Sequence, residues 1–159
     1  YIAKQLKTKC SEWKVETQKR SKYLFDIPKK FGLKPDIIMS KQGKDRTKLD
    51  NNKSIVLDTK WKKLISDSSK NYGISQSDMY QMYAYAYKYD VENVILIYPK
   101  HKEVQLASFP SYIQEGHKNE HIKKIVVKVF LYDLSNEEKS IKEFGNLIKS
   151  SSKSHAKQE

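Results

Sequence analysis

Hydrophobic and polar positions alternate in several short runs at the start of the chain, a pattern typical of strands with one buried face. Four runs of this kind, with strand-forming side chains, are residues 13–17, 23–27, 35–40 and 54–61. Between the last two lies a polar stretch, residues 41–53, which we interpret as an exposed loop. We therefore expect these four strands to form a meander.

A helical pattern follows over residues 75–89. Ser75 and Asp78 have the spacing of a capping box, with Asp in place of the usual Glu, which predicts a helix start. Four side chains at positions i, i+3, i+4 and i+7 predict a buried stripe: Met79, Met82, Tyr83 and Ala86. Residues 94–98 are entirely apolar before Pro99, which predicts a strand covered on both faces.

The remaining patterns complete an α/β domain. They predict helices at residues 2–9 and 136–149 and strands at residues 104–109 and 122–134. The order of elements predicts a mixed sheet, flanked by helices and centred on residues 35–40 and 54–61. We assign residues 1–149 to this domain and expect the Ser/Lys-rich residues 150–159 to form a disordered tail.

The charge of the chain favours a polyanionic partner. Its 159 residues carry a net charge of +12, from 31 basic and 19 acidic residues, and no segment is apolar enough to span a membrane. A solvated lysine-rich surface would give the same balance. Arg20 and Arg46 are the only arginines. Since lysine binds phosphate as a point charge, we expect contact with the DNA backbone and little reading of sequence.

The single cysteine, Cys10, excludes an intramolecular disulfide and a cysteine-based zinc cage, and it suits the reducing cytoplasm. The chain begins without methionine in a predicted helix, so we expect it to be the C-terminal piece of a longer protein. We expect Trp13 and Trp61 to pack in the interior. We interpret His117 and His121 as a surface cluster and not as a metal site.

Two short motifs carry candidate chemistry. Asp58 and Lys60 point to the same side of their predicted strand, and Asp36 follows Pro35 in the strand before it. Two carboxylates can hold a hard cation such as Mg²⁺, and the lysine would lie where an attacking water meets a phosphodiester. The alternative is two surface acids with Lys60 paired to Asp58. The apolar run leading into Asp58 and the basic chain favour a metal-dependent nuclease.

The predicted helix adds polar side chains. Asp78, Gln81 and Tyr85 share one of its faces. An amide can orient a water or a phosphate, and a phenol can donate to phosphate, although an ordinary polar face would look the same. Lys62 and Lys63 are either contacts to the DNA backbone or solvated, and we favour DNA.

These motifs together resemble a known family. The strings PDIIM, IVLDTKWKKL, SQSDMYQMYAYAYKY and VILIYP, in this order, resemble the nuclease domain of McrC over residues 13–100. McrC is the endonuclease subunit of McrBC-type restriction systems, which include LlaJI-like enzymes, and it belongs to the PD-(D/E)XK superfamily. The resemblance implies a restriction-endonuclease-like fold.

The resemblance also implies an activity. It implies Mg²⁺-dependent cleavage of double-stranded DNA, with Mn²⁺ as a substitute, by a type II/IV-like restriction endonuclease subunit in antiviral defence. It further implies an McrB-like AAA+ GTPase partner. The implied metal ligands are Asp36, Asp58 and the carbonyl of Thr59; the implied catalytic residues are Asp36, Asp58, Lys60, Gln81 and Tyr85. Glu12 and Glu16 are candidates for an additional acid.

Two alternatives stay open. One is a free-standing, RecB-like repair or recombination nuclease with the same chemistry. The other is a basic DNA-binding module without catalysis, which would have no physical need for two acids and a lysine at one site.

Overall fold

The computed structural model describes residues 1–18, 22–42, 49–104, 106, 108–116 and 124–153, with the backbone alone for residues 49–53 and 152–153. His117 and His121 lie outside the described residues. The helices are α1 (Ile2–Lys9), α2 (Gln76–Tyr89) and α3 (Glu137–Lys153), with a 3₁₀ segment at Ser68–Gly73. The strands are β1 (Trp13–Thr17), β2 (Lys22–Asp26), β3 (Lys29–Leu33), β4 (Ile37–Gln42), β5 (Leu49–Thr59), β6 (Asn93–Pro99), β7 (Tyr112–Glu115) and β8 (Lys124–Tyr132).

Six strands form one mixed sheet in the order β1-β4-β5-β6-β8-β7. The pairs β1–β4, β4–β5 and β7–β8 are antiparallel, whereas β5–β6 and β6–β8 are parallel. The helix α2 connects β5 to its parallel neighbour β6, because a parallel pair needs a long crossover. The mixed central sheet flanked by helices confirms the predicted fold class.

The sheet separates two hydrophobic cores. On one face, α2 packs against alternate strand residues that include Ile38, Val56 and Leu96. On the other face, α1 and α3 cover residues of opposite parity, such as Leu57 and Ile97. The side-chain alternation along β4 and β5 therefore decides which helix each residue meets. The predicted double coverage of β6 is confirmed, since all of Val94–Tyr98 is buried.

Several local predictions were wrong. The second predicted strand does not join the meander, since β2 pairs with β3 in a separate two-stranded sheet. Part of the predicted loop 41–53 continues β4 and β5, and the described residues between 104 and 109 form no strand. The helix α3 continues through residues 150–153, so the predicted tail starts too early; residues 154–159 lie outside the described residues.

Two aromatic side chains also depart from the prediction. Tyr83, predicted to be buried in α2, is 46% exposed, whereas Tyr85 is buried, because the helix turns a slightly different face to the sheet. Trp61 is 78% exposed, whereas Trp13 is buried as predicted. The bounds of α2, with Ser75 as its N-cap, are confirmed.

Candidate active site

The carboxylates of Asp36 and Asp58 meet at the ends of two adjacent strands. Ile37 lies opposite Leu57 in the antiparallel β4–β5 pair, so the next step of the register places Asp36 opposite Asp58. Asp36 lies two residues before Ile38, and Asp58 lies two residues after Val56. Both of these core residues face α2, so the two carboxylates point to the α2 side of the sheet. Asp58 is buried and 4% exposed, while Asp36 is half-buried.

The side chain of Asp36 is fixed by Thr59. The Oδ2 atom of Asp36 accepts hydrogen bonds from the backbone N–H (2.8 Å) and the Oγ1 hydroxyl (2.6 Å) of Thr59. The register between β4 and β5 stops at Ile37, so this carboxylate takes the place of a strand partner for the amide. On the other side, the N–H of Gln18 donates to the Asp36 carbonyl at 3.0 Å.

Lys60 connects the strand to the helix. Its Nζ atom lies 2.7 Å from Oδ2 of Asp58 and donates to Oε1 of Gln81, also at 2.7 Å. Oδ1 of Asp78 is 3.6 Å from the same Nζ. The backbone N–H of Lys60 donates to the carbonyl of Ile97 on β6 at 2.9 Å. The ammonium is thus held between carboxylates and an amide on the side of the sheet that carries Asp36.

Gln81 and Tyr85 continue this chain of contacts along α2. Gln81 accepts from Lys60 through Oε1 and donates through Nε2 to the Tyr85 hydroxyl at 3.0 Å. Because one side of the amide meets a cation and the other a hydroxyl, its orientation is determined. Burial, together with the charges of Asp58 and Asp36, raises the pKa of Tyr85 far above its usual range, so the phenol stays protonated.

The electrostatics around Asp58 suit a bound cation. Burial raises the pKa of Asp58; the hydrogen bond and charge of Lys60 oppose this, and the negative charges of Asp36 and Asp78 add to it. A divalent cation would relieve this repulsion. No group of three His, Cys, Asp or Glu side chains that could hold a metal exists within the described residues. Two carboxylates, a carbonyl such as that of Thr59 and water would suit Mg²⁺, which keeps several waters, better than Zn²⁺.

Asp78 belongs to this network, although the sequence predicted for it only a place in the capping box with Ser75 and on the face of Gln81. The Nζ of Lys62 contacts its Oδ2 and donates to Oγ of Ser75 at 3.2 Å. Burial raises the pKa of Asp78, but the hydrogen bonds of Lys62 and Ser75 and the charges of Lys62 and Lys60 outweigh it, and the pKa is lowered. Asp78 therefore carries a negative charge between two lysines. The spacings to Ser75 and Gln81 placed Asp78 at the helix start and on this face, but they did not predict its contacts with the two lysines.

The remaining candidates lie apart from this network. Lys63 is exposed. Glu12 lies beside the far end of β4, where its carbonyl accepts from Gln42, and so it is not part of the site. Glu16 has no described contact with Lys60 or Gln81, but it lies opposite Ile38 and therefore on the same face of the sheet as Asp36, with its carboxylate 3.5 Å from Lys14.

Comparison with known proteins gives the family of the chain and a structural relative of its fold. A family model described as "McrBC 5-methylcytosine restriction system component" matches residues 1–99. No curated protein matches the chain. Among solved structures, the chain is similar to a chain of the "Refined half-complex from tetradecameric assembly of Thermococcus gammatolerans McrB AAA+ hexamers with bound McrC", with a TM-score of 0.55 and 15% identity. The match covers 90% of this chain and 31% of that one, so this chain spans about a third of its length.

Proposed function

This chain belongs to the family of McrBC 5-methylcytosine restriction system components, and we propose that it is a Mg²⁺-dependent endonuclease domain of the PD-(D/E)XK superfamily. It hydrolyses phosphodiester bonds of double-stranded DNA. The observation that carries this proposal is the placement of Asp36, Asp58 and Lys60. Two carboxylates lie opposite each other on adjacent strands, and the ammonium of Lys60 is 2.7 Å from the more buried one.

Each side chain has a role in this proposal. Asp36, Asp58 and the Thr59 carbonyl would hold Mg²⁺, with Mn²⁺ as a substitute. When bound, the metal supplies a Lewis acid that polarises a phosphate oxygen and lowers the pKa of water. Lys60 orients the attacking water and offsets the negative charge that develops on the phosphate. Gln81 holds Lys60 in place.

The role assigned to Tyr85 in this proposal is a contact with the phosphate. Its raised pKa keeps the phenol protonated, so it can donate a hydrogen bond to a phosphate oxygen. Lys62 and Lys63 are the proposed contacts to the DNA backbone beside the site. The net charge of +12 supports a polyanionic substrate.

We also propose that an McrB-like AAA+ GTPase partner gates cleavage. The structural relative comes from an assembly described as McrB AAA+ hexamers with bound McrC, and the family is that of restriction system components. A cytoplasmic location would fit this role. None of the helices in the described part of the chain is long and apolar enough to cross a membrane.

The test is cleavage of plasmid DNA by the purified chain with Mg²⁺ or Mn²⁺, beside Asp58→Ala and Lys60→Ala. We expect both variants to lose cleavage while circular dichroism stays unchanged. Glu138→Ala, which removes an exposed acid from α3 on the opposite side of the sheet, is the matched control and should cut normally. Retained cleavage in both site variants would contradict the proposal.

Metal binding, measured by calorimetry, separates the remaining outcomes. Binding without cutting would support a nuclease gated by its partner, and adding that partner with GTP should then restore cleavage. The absence of both binding and cutting would instead support a basic DNA-binding module.

A further inference from the structure

The β2–β3 hairpin stands outside the main sheet, between β1 and β4 in the chain. Lys22 lies opposite Leu33 and Asp26 lies opposite Lys29, with a turn at Ile27 and Pro28. The hairpin leads directly into the site, because its second strand ends three residues before Asp36.

The hairpin is held against α2, the helix that carries Gln81 and Tyr85. Nζ of Lys88 donates to Oδ2 of Asp26 at 2.9 Å, and the hydroxyl of Tyr89 donates to the carbonyl of Leu33 at 3.3 Å. Leu33 itself packs on the core beneath α2. The hairpin is therefore anchored on the same helix as the site, at the far end from Ser75.

The hairpin exposes large apolar side chains to solvent. Ile27 is 95% exposed at the turn, Phe31 is 71% exposed and Phe25 is 55% exposed. The two phenylalanine rings touch edge to face, with centroids 5.9 Å apart. Phe31 has a φ of +58°, a conformation that is costly for a bulky residue and that concentrates at binding sites. An exposed apolar cluster of this kind marks a contact surface.

The charges around these side chains identify the kind of partner. Residues 22–34 contain four lysines and one acid, Asp26, which is already paired with Lys88. The four lysines are all exposed: Lys22, Lys29, Lys30 and Lys34. Protein–protein interfaces are depleted of lysine at their centres, whereas phosphate backbones attract it. The combination of exposed apolar wedges and flanking lysines is typical of proteins that insert side chains between DNA bases.

We propose that the β2–β3 hairpin is a DNA-contacting element of the nuclease, resting on the function proposed above. Phe25, Ile27 and Phe31 press against the bases of the duplex, and the lysines bind the flanking phosphates. Phe31 is five residues from Asp36, which limits their separation to roughly 18 Å. At 3.4 Å per base pair, the contact falls within about five base pairs of the cleaved bond.

The first experiment measures binding of a fluorescent DNA duplex by anisotropy in the absence of divalent metal. The variant combines Phe25→Ser with Phe31→Asn, because asparagine tolerates the left-handed backbone. We expect it to bind about tenfold more weakly, a loss of about 1.4 kcal/mol, with an unchanged unfolding midpoint. The control is Ile113→Ser, which removes a side chain that is 59% exposed at the opposite edge of the sheet, and it should bind normally.

The second readout detects unstacked bases. A duplex carrying 2-aminopurine should gain fluorescence when the wild-type protein or Asp58→Ala binds, and should stay dark with the hairpin variant. If the hairpin variant keeps full DNA affinity, or if 2-aminopurine stays stacked in the wild-type complex, the proposal is wrong. Full affinity combined with lost binding to an McrB-like partner would make the hairpin a protein-docking surface.

Failure of the two proposals gives different results. If Asp58→Ala and Lys60→Ala both cut like the wild type, the nuclease assignment fails, whereas the anisotropy experiment still tests the hairpin. If the hairpin variant binds and cuts like the wild type while Asp58→Ala does not cut, the hairpin proposal alone fails.

Discussion

Lys62 and Lys63 are neighbours in the chain with different surroundings. The Nζ of Lys62 is held by Asp78 and Ser75 at the start of α2, while Lys63 is exposed. The sequence predicted a contact to the DNA backbone for both. A lysine already paired with a carboxylate gains less from a phosphate. We therefore expect Lys63 to contribute more to DNA binding than Lys62.

The pair Lys62→Met and Lys63→Met separates stability from DNA binding. Lys62→Met should lower the free energy of unfolding by about 1 kcal/mol, since it leaves Asp78 with one partner fewer. Lys63→Met should leave stability unchanged and reduce the slope of log affinity against log salt by about 1. Urea unfolding and salt titrations of duplex binding measure the two effects. An unchanged salt slope for Lys63→Met would show that this lysine is only solvated.

At the scale of elements, α2 has its start fixed by one side chain. Ser75 Oγ accepts from the N–H of Asp78 at 3.2 Å and also receives Lys62. The cap thus positions the turn that carries Asp78, and one turn later Gln81 reaches Lys60.

Ser75→Ala should therefore destabilise the protein by about 1 kcal/mol, the usual cost of losing an N-cap. It should also slow DNA cleavage, because Asp78 and Gln81 would hold Lys60 less firmly. Ser108→Ala, at an exposed position outside the helices, is the control and should change neither quantity. Thermal unfolding and single-turnover cleavage measure these effects; a stable but slow variant would mean that the cap acts on the site alone.

The elements that the sequence predicted best have a strong local signal. The apolar run Val94–Tyr98 predicts a buried strand, and the cap at Ser75 predicts a helix start. The alternation along β4 and β5 places Asp58 on the same face of the sheet as Ile38 and Val56. The hairpin strand β3 was missed because most of its side chains are exposed and so show no buried periodicity.

The phase of α2 was missed for a different reason. Tyrosines occur all around the helix, at positions 80, 83, 85, 87 and 89, so the apolar pattern alone did not select Tyr85 over Tyr83 for burial. The pairing of Asp78 with Lys62 depends on how the helix lies against the segment after β5. That placement is a tertiary property, and no local spacing encodes it.

At the scale of the whole molecule, the site is held by the protein itself. Thr59 fixes Asp36 by hydrogen bonds, and Lys60 fixes Asp58 by an ion pair. Because contacts within the chain hold both carboxylates, we expect a cation to add to an existing arrangement.

Metal removal should accordingly stop cleavage without unfolding the chain. Excess Mg²⁺ at ten times its Kd would stabilise the native state by about 1.4 kcal/mol. Its chelation should lower the melting temperature by roughly 4 °C for a chain of this size. Calorimetric scans with and without EDTA, beside cleavage assays, measure this. Unfolding on chelation would show instead that the metal is a structural part of the fold.

The hydrogen bond from the Lys60 amide to the Ile97 carbonyl has a consequence for folding during synthesis. Asp36, Asp58 and Lys60 are all synthesised before α2, but the backbone of Lys60 is held by a strand that follows α2. A parallel pair with an intervening helix forms slowly, because loop closure must precede its contacts. A chain still on the ribosome, with its acids and lysine already made, therefore has not yet assembled the candidate site. For the nuclease proposed above, this order of assembly would keep an unfinished chain from cutting the nucleic acids around the ribosome.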